Sequence, residues 1–440
     1  VPTEAPRPGR ALRYALFVEP YDQVSGNAAL RWVRAGMAAI EATRKVTPQQ
    51  WDWASRDVAL HKLPREKVRT LLQSCATCLR LADEAARCDH CNWELPPPSP
   101  AQNDLPLSEL QQLRAVANLL AMRCRLELSE EHYDDAARTL RTGMAMARHA
   151  GDGPWVIQSL VGIAIAHIML ARVEEWVQLD GAPPLYWPLT ALPAPLVSTD
   201  RAIRGEAGSF VRSFPRLRTL AGETLTKEQA DGLASELLQT TAPYFGDQRP
   251  NDWQARLAMA GIATQAYPAA KRYLIEHGRT AAQVEAMPVL QVVLVFYVEE
   301  YEDIWDEVLR QMSLPYWQAH SGLQDAEKKA RSARRDTLNI LVGLLMPAVV
   351  KVRQADARLQ RHVAMLRCAE AIRLYAAGHG GRLPEALRDV TEVPLPIDPV
   401  TGKGFDEFYK ASEAGAVLDV PAMPGQPAST GRRFEFTKAR

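Results

Sequence analysis

The sequence predicts a mainly α-helical protein: a helical, repeat-like array closed by one long C-terminal helix and a small β-containing cap. Three observations carry that expectation. Leu, Ala, Arg and Glu are abundant while runs of β-branched residues are scarce, a composition that favours helix. Apolar residues recur at a 3.6-residue period through much of the chain. Pro- and Gly-bearing breaks then cut these periodic stretches into helix-sized lengths. At 440 residues the chain can bury one large core or two or three smaller ones. Its 52 basic and 52 acidic residues cancel, so it has no bulk basic field for nucleic acid, and any electrostatic role falls to local patches.

Residues 1–27 start rich in Pro, Arg and Gly and read as an extended arm. The chain begins at Val1 rather than Met, so removal of an N-terminal segment, such as a signal peptide or membrane anchor, is expected. Residues 28–93 form an N-terminal helical segment. Ala28–Thr43 is amphipathic, with Leu30, Val33, Met37 and Ile40 on the apolar face. Trp51, Trp53, Val58 and Leu60 form an apolar cluster between helices, and a second helix is predicted from Arg65 to Ala86, after Pro64.

That second helix carries Cys75 and Cys78, and Cys88 and Cys91 follow it. A CxxC-x9-CxxC pattern has the ligand count of a four-thiolate zinc site, yet neither CATC nor CDHC holds the Gly or Pro that knuckle turns use. A helix over Leu79–Ala86 would hold Cys78 and Cys88 on the order of 15 Å apart, too far for a direct bridge. Three readings stand: disulfides within or across the segment, which an exported chain favours; a zinc site after a break in the helix; or free buried thiols. Zinc is the one cofactor the sequence suggests, and no catalytic residue is assigned. CDHCN lacks the trailing His of a haem attachment motif.

Trp93–Pro106 is a Pro-rich connector. Over residues 107–180 the periodicity breaks at Ser129–Glu131, which predicts two antiparallel helices. The pair resembles a tetratricopeptide unit, with Tyr133 just after the turn and Ala136, Leu140 and Gly143 as the small-large-small face. Glu131 stands where that family commonly has Gly. The resemblance implies a peptide-binding groove, and a single unit needs neighbouring helices to cover its faces. Trp155–Val177 is a further apolar helix, with His167 inside it as a satisfied core residue. No segment is expected to span a membrane, because polar residues interrupt each apolar run.

A second Pro-rich connector, Gly181–Pro195, leads to the central helical segment, residues 196–322. Arg201–Leu220 and Lys227–Thr241 read as helices. The string RGEAGSF resembles the Glu-Ser neighbourhood of lytic transglycosylases, with Ala207 in place of the Ser, and Glu206 is expected to be a solvated helix residue. No GxSxG, HExxH, Walker loop or GxGxxG fingerprint is present. Met287–Gln311 is apolar, then acidic through Glu299, Glu300, Glu302, Asp303, Asp306 and Glu307. The following Lys328, Lys329, Arg331, Arg334 and Arg335 would meet that run in a helical hairpin.

Residues 323–440 hold the long helix and cap. Apolar positions from Leu338 to Ile372 follow a helical period up to Gly378, a rod of about 60 Å at 1.5 Å per residue with a kink at Pro347. The run LLMPAVVKVRQADARLQ, the RLPEAL stretch and the DPVTGKG turn resemble pseudopilin-type proteins of type II secretion and their planctomycete relatives. The resemblance covers the last quarter of the chain, and departs from that family in lacking the Gly-Phe processing junction. It implies a bacterial envelope or periplasmic location. Arg382–Arg388 is predicted as a short helix, Gly425–Gly431 as a mobile loop and RRFEFT as a terminal strand. Asp398-Pro399 and Gly402 shape a β-turn, with calcium bound by Asp398, Gly402 and Asp406 as the sharper alternative.

The leading expectation is a non-enzymatic helical scaffold that binds a protein partner. The alternatives are an envelope hydrolase whose carboxylates converge only in the fold, or a structural subunit of a larger assembly. A scaffold requires a concave surface, a hydrolase a pocket with convergent ionisable groups, and a subunit a large exposed apolar face.

Overall fold

The computed structural model describes residues 1, 10–95, 107–208, 212, 214–241, 252–333 and 340–437. The protein is mainly helical, with a small sheet near its C-terminus. Most of the arm (2–9), the Pro-rich 96–106 and the side chains of Lys329, Arg331, Arg334 and Arg335 lie outside the described residues.

Strand β1 (Val24–Asn27) leads into α1 (Ala29–Thr43). This helix turns a different face inward from the one its larger apolar residues suggest. Ala29, Trp32, Ala35, Gly36 and Ala39 are buried, whereas Leu30 and Met37 are 58% and 61% exposed. The small side chains let neighbouring helices approach closely, and Trp32 supplies the bulk between them. Trp32 is fully buried and its Nε1–H donates to His149 Nδ1 at 3.0 Å.

The predicted Arg65–Ala86 helix is two helices, α2 (Arg65–Ser74) and α3 (Ala76–Ala86), which meet at Cys75. Cys75 leaves helical geometry at φ −98°, ψ 11°, so the break falls on the first cysteine of the motif. Beyond α3, β2 (Cys88–His90) pairs in parallel with β1, a contact between residues about sixty positions apart that no local pattern announces.

The paired helices are α4 (Leu107–Ser129) and α5 (Tyr133–Gly151). Their turn places Glu131 at φ +59°, the left-handed conformation in which Gly has no Cβ penalty. The small face of α5 meets α6 (Val156–Val177), where a Cβ on Gly143 would stand 2.1 Å from the Met169 sulfur. Among the described residues, α6 alone is long and apolar enough by composition to cross a membrane, and here it is a largely buried core helix, consistent with the expectation of no spanning segment. Glu206, expected in solvent, instead accepts the Val156 N–H at 3.3 Å and so caps α6.

The short helix α7 (Tyr186–Thr190) and α8 (Asp200–Ala207) lead to the central segment. Arg201–Leu220 is not one helix: α8 ends at Ala207 and a separate turn forms at Pro215–Arg218. Helices α9 (Lys227–Thr241), α10 (Asp252–Glu276), α11 (Ala281–Glu285) and α12 (Val289–Met312) then bury a separate core around Leu217, Leu233, Leu274 and Val292–Val295. Gln291 pins the turn before α9, accepting from Leu225 N and donating to Leu220 O, each at 2.9 Å. The expected pairing of the acidic run of α12 with the basic run lies outside the described residues except at Lys328. Glu299 pairs with Arg279 at 2.7 Å, Asp303 accepts from the Tyr273 hydroxyl at 2.7 Å, and on α13 (Tyr316–Ala333) Lys328 pairs with Asp325 at 3.0 Å.

The long helix α14 (Ile340–Gly378) has 39 residues and continues through position 347. It is followed by a single turn at Leu387–Asp389, where a short helix over Arg382–Arg388 was expected. Strands β3 (Tyr409–Ser412), β4 (Gly415–Val420) and β5 (Arg432–Thr437) form an antiparallel meander, with Tyr409, Leu418 and Phe434 aligned across it. Phe434, Phe436 and Leu418 join the same hydrophobic core as α1 and α3–α6, so the cap closes on the N-terminal array. The Gly425–Gly431 stretch holds a single turn at Ala428–Thr430.

Two stability predictions follow from this packing. Glu131→Gly relieves the left-handed strain and raises unfolding free energy by about 0.5–1 kcal/mol in a denaturant titration; a loss of stability would show that the Glu side chain itself holds the turn. His149 is held down to about 4, by burial first and by Arg148 and His90 second. The unfolded chain therefore takes up a proton at His149, between the ordinary value near 6.5 and about 4, that the folded chain refuses. Stability should fall by about 3 kcal/mol as pH drops through that window, at ~1.4 kcal/mol per unit, and His149→Gln should flatten the slope. An unchanged slope in urea titrations of the variant would assign the acid sensitivity elsewhere.

Candidate functional site

An aromatic groove of about 720 Å3 opens where the first helical pair, the second Pro-rich connector and the end of α14 converge. Behind its lining stands Trp176, fully buried near the end of α6, whose Nε1–H donates to Pro183 O at 2.8 Å. Two tyrosines stand against that indole. Tyr14 meets it edge-on with ring centroids 5.5 Å apart, and Tyr133 meets it at 5.0 Å with the planes tilted by 50°. Aromatic quadrupoles favour such tilted and edge contacts, so the indole fixes both rings.

The facing wall comes from the connector. Pro183 and Pro184 stiffen the chain ahead of α7, which places Tyr186 and Trp187 edge to face at 5.2 Å. Tyr186 is anchored by its hydroxyl to Pro394 O, and Arg367 lies 5.5 Å from its ring centroid. Trp187 stays 41% exposed at the groove. Leu374 and Gly378 of α14 and Val393 complete the apolar lining. Arg10, Arg13 and Glu392 supply charge; Arg13 also holds Asp134 at 2.8 Å. Burial raises the Tyr14 and Tyr133 hydroxyls above their ordinary range, so both remain donors at neutral pH.

Tyr133 was singled out by the sequence as the residue after the helical turn. Tyr14, Tyr186, Trp187 and Leu374 were not linked to it, since up to about 360 residues separate them. The signals were present: PPLYWP is an exposed-aromatic motif, and Gly378 marks the end of the long helix.

The four motif cysteines lie away from this groove. Cys75, Cys78, Cys88 and Cys91 are buried free thiols, as are Cys124 and Cys368. Burial pushes Cys78 up to about 12 and raises Cys75, Cys88 and Cys91 as well. The Cys88 sulfur accepts from Arg31 at 3.2 Å. Among the described residues no three His, Cys, Asp or Glu side chains are grouped to hold a metal. Asp398 is fully buried in its turn, accepting from Arg361 Nη2 at 2.8 Å and Val400 N at 2.9 Å. Gly402 stands at φ +71° against the Trp317 ring, so the Asp-Pro-x-x-Gly sequence serves the turn geometry.

No family model, curated protein or solved structure matches this chain.

With their thiols buried and protonated, the cysteines should resist labelling. A thiol reagent applied to the native chain should modify none rapidly, and after unfolding without reductant it should modify six. Four or two labelled sites in the unfolded chain would reveal one or two disulfides, and a stoichiometric metal released on unfolding would reveal a zinc site.

Proposed function

We propose that the chain is a non-catalytic helical scaffold that takes an extended, proline-containing acidic segment of a protein partner into the aromatic groove. The observation that carries the reading is the grouping of Tyr14, Tyr133, Tyr186 and Trp187 around one cavity. Rows of rigid aromatic rings suit a polyproline II ligand, which is extended before it binds and so loses little entropy. Arg10 and Arg13 beside Tyr14 favour carboxylates on that ligand and would speed its encounter. The groove extends the peptide-binding role that the tetratricopeptide resemblance implies for the α4–α5 pair. The pseudopilin resemblance of the tail supports a bacterial cell envelope as the setting.

The test uses synthetic peptides and the full chain. A proline-rich peptide carrying Asp or Glu should shift tryptophan emission saturably, and the shift should be absent from Trp187→Ala. Tyr133→Ala and Trp187→Ala should each weaken binding by about 2 kcal/mol, or roughly thirtyfold, as buried aromatic anchors do. Equal affinity for a scrambled, proline-free peptide would remove the polyproline claim, and no saturable response to any acidic peptide would remove the groove as the binding site.

A further inference from the structure

A second cavity, of about 220 Å3, lies where α6, α14 and the connection between β4 and β5 meet. Its lining brings together His167 from α6; Arg358, Arg361 and His362 from α14; and Ser429 and Arg432 from the cap. Three guanidiniums and two imidazoles around so small a space would repel one another unless anions offset them.

The nearby carboxylates are already committed. Asp398 takes Arg361 Nη2 at 2.8 Å while Arg361 Nη1 goes to Pro421 O at 2.8 Å. Glu174 takes His362 Nε2 at 2.6 Å and Arg432 Nε at 3.1 Å, and also meets Arg56. Among the described residues no carboxylate lies within ion-pair distance of Arg358, whose Nη1 reaches only Gln426 Oε1 at 3.3 Å. The Nε atoms of Arg358 and Arg361 are buried without a partner, and Arg361 is only 6% exposed. Buried guanidinium donors of this kind are costly unless something accepts from them.

The histidines add direction. Their rings stack at 5.6 Å with the two Nδ1 atoms 3.3 Å apart. A carboxylate only accepts, so His362 Nε2 carries the proton shared with Glu174. One proton then lies between the two Nδ1 atoms. With that proton held by His362, His167 carries its own on Nε2, and the pair presents a donor.

We propose that this cavity binds a tetrahedral oxyanion, a phosphate group free or esterified, with Arg358 as its principal ligand and Arg432, His167 and Ser429 around it. Guanidiniums approaching from separate elements match oxygens spread over a tetrahedron, whereas a planar carboxylate offers two oxygens in one direction. A cavity of about 220 Å3 is large enough for a phosphate and its residual hydration.

The probes are inorganic phosphate, O-phosphoserine and acetate, titrated calorimetrically into the full chain at constant ionic strength. One equivalent of phosphate or phosphoserine should bind saturably, and acetate should bind at least tenfold more weakly. Arg358→Gln should weaken phosphate binding by roughly tenfold or more, the loss of a charge-assisted contact. Phosphoserine binding as well as phosphate would mark an esterified ligand, and phosphate alone a free ion; both sustain the site. Acetate binding as tightly as phosphate, no saturation by either phosphate probe, or unchanged binding in Arg358→Gln would overturn it. Circular dichroism checks the fold, and Arg358→Lys, which keeps charge and stem but loses the fork, gives the reading should Arg358→Gln fail to fold.

Discussion

Two adjacent carboxylates at the end of α6, Glu174 and Glu175, fix how the rest of the protein is arranged around that helix. A helix C-terminus carries partial negative charge, so carboxylates there are unfavourable without cations. Burial pulls Glu174 upward, but the His362 hydrogen bond and the charges of His362, Arg56 and Arg432 hold it down at about 2. Glu175 takes Arg125 at 3.0 Å and Arg172 at 3.2 Å. The same two arginines bind the loop after α1: Arg125 donates to Trp53 O and Arg172 to Ala54 O, each at 2.6 Å. The loop, α4, α14 and β5 therefore all register against one helical turn. Such a cluster contributes little net stability over an apolar equivalent, but removing one member leaves an uncompensated charge that costs about 3–5 kcal/mol. Its effect is to reject other packings of the same apolar surfaces.

The long helix repeats the device along its length. Arg353 pairs with Asp356 at 2.7 Å, Arg361 with Asp398 at 2.8 Å, His362 with Glu174 at 2.6 Å and Arg373 with Glu370 at 2.5 Å. Between them Leu359, Leu366 and Ile372 are fully buried. A helix covered on several sides has no single polar face to give up to water, so its polar residues are satisfied inside instead. The DPVTGKG turn is drawn into the core for that reason: Asp398 answers Arg361, and the turn closes around it.

This arrangement explains what was legible in the sequence. Helical periodicity revealed α1, the α4–α5 pair, α6 and α14, because local spacing sets helix formation. The alternation in RRFEFT revealed β5 for the same reason. The inward face of α1 was misread because burial there follows small residues that permit close approach, and hydrophobic size favoured the wrong side. Arg65–Ala86 was misread as one helix because nothing at Cys75 resembles a helix breaker. The cap supplied by Glu206 and the pairing of β1 with β2 depend on neighbours distant in the chain. Both cavities share that origin: His167 and His362 are 195 residues apart, and Glu174 and Arg432 are 258 apart.

Among the described lining residues, the element common to the groove and the cationic cavity is α14, through Leu374 for the first and Met365 for the second. Nine residues of helix separate those positions, about 14 Å along the axis. Proximity on a rod does not couple two sites; coupling needs an element with two arrangements that both ligands bias. The stretch from His362 to Gly378 is a continuous, well-buried helix with no hinge in it. The cap is different, since Arg432 at the start of β5 and Ser429 from the β4–β5 connection reach the cavity, and among the described residues no cap strand lines the groove. An anion in the cavity would therefore act on how tightly the cap is held against α14, and leave the aromatic groove, built on Trp176 and the α7 connector, as it is.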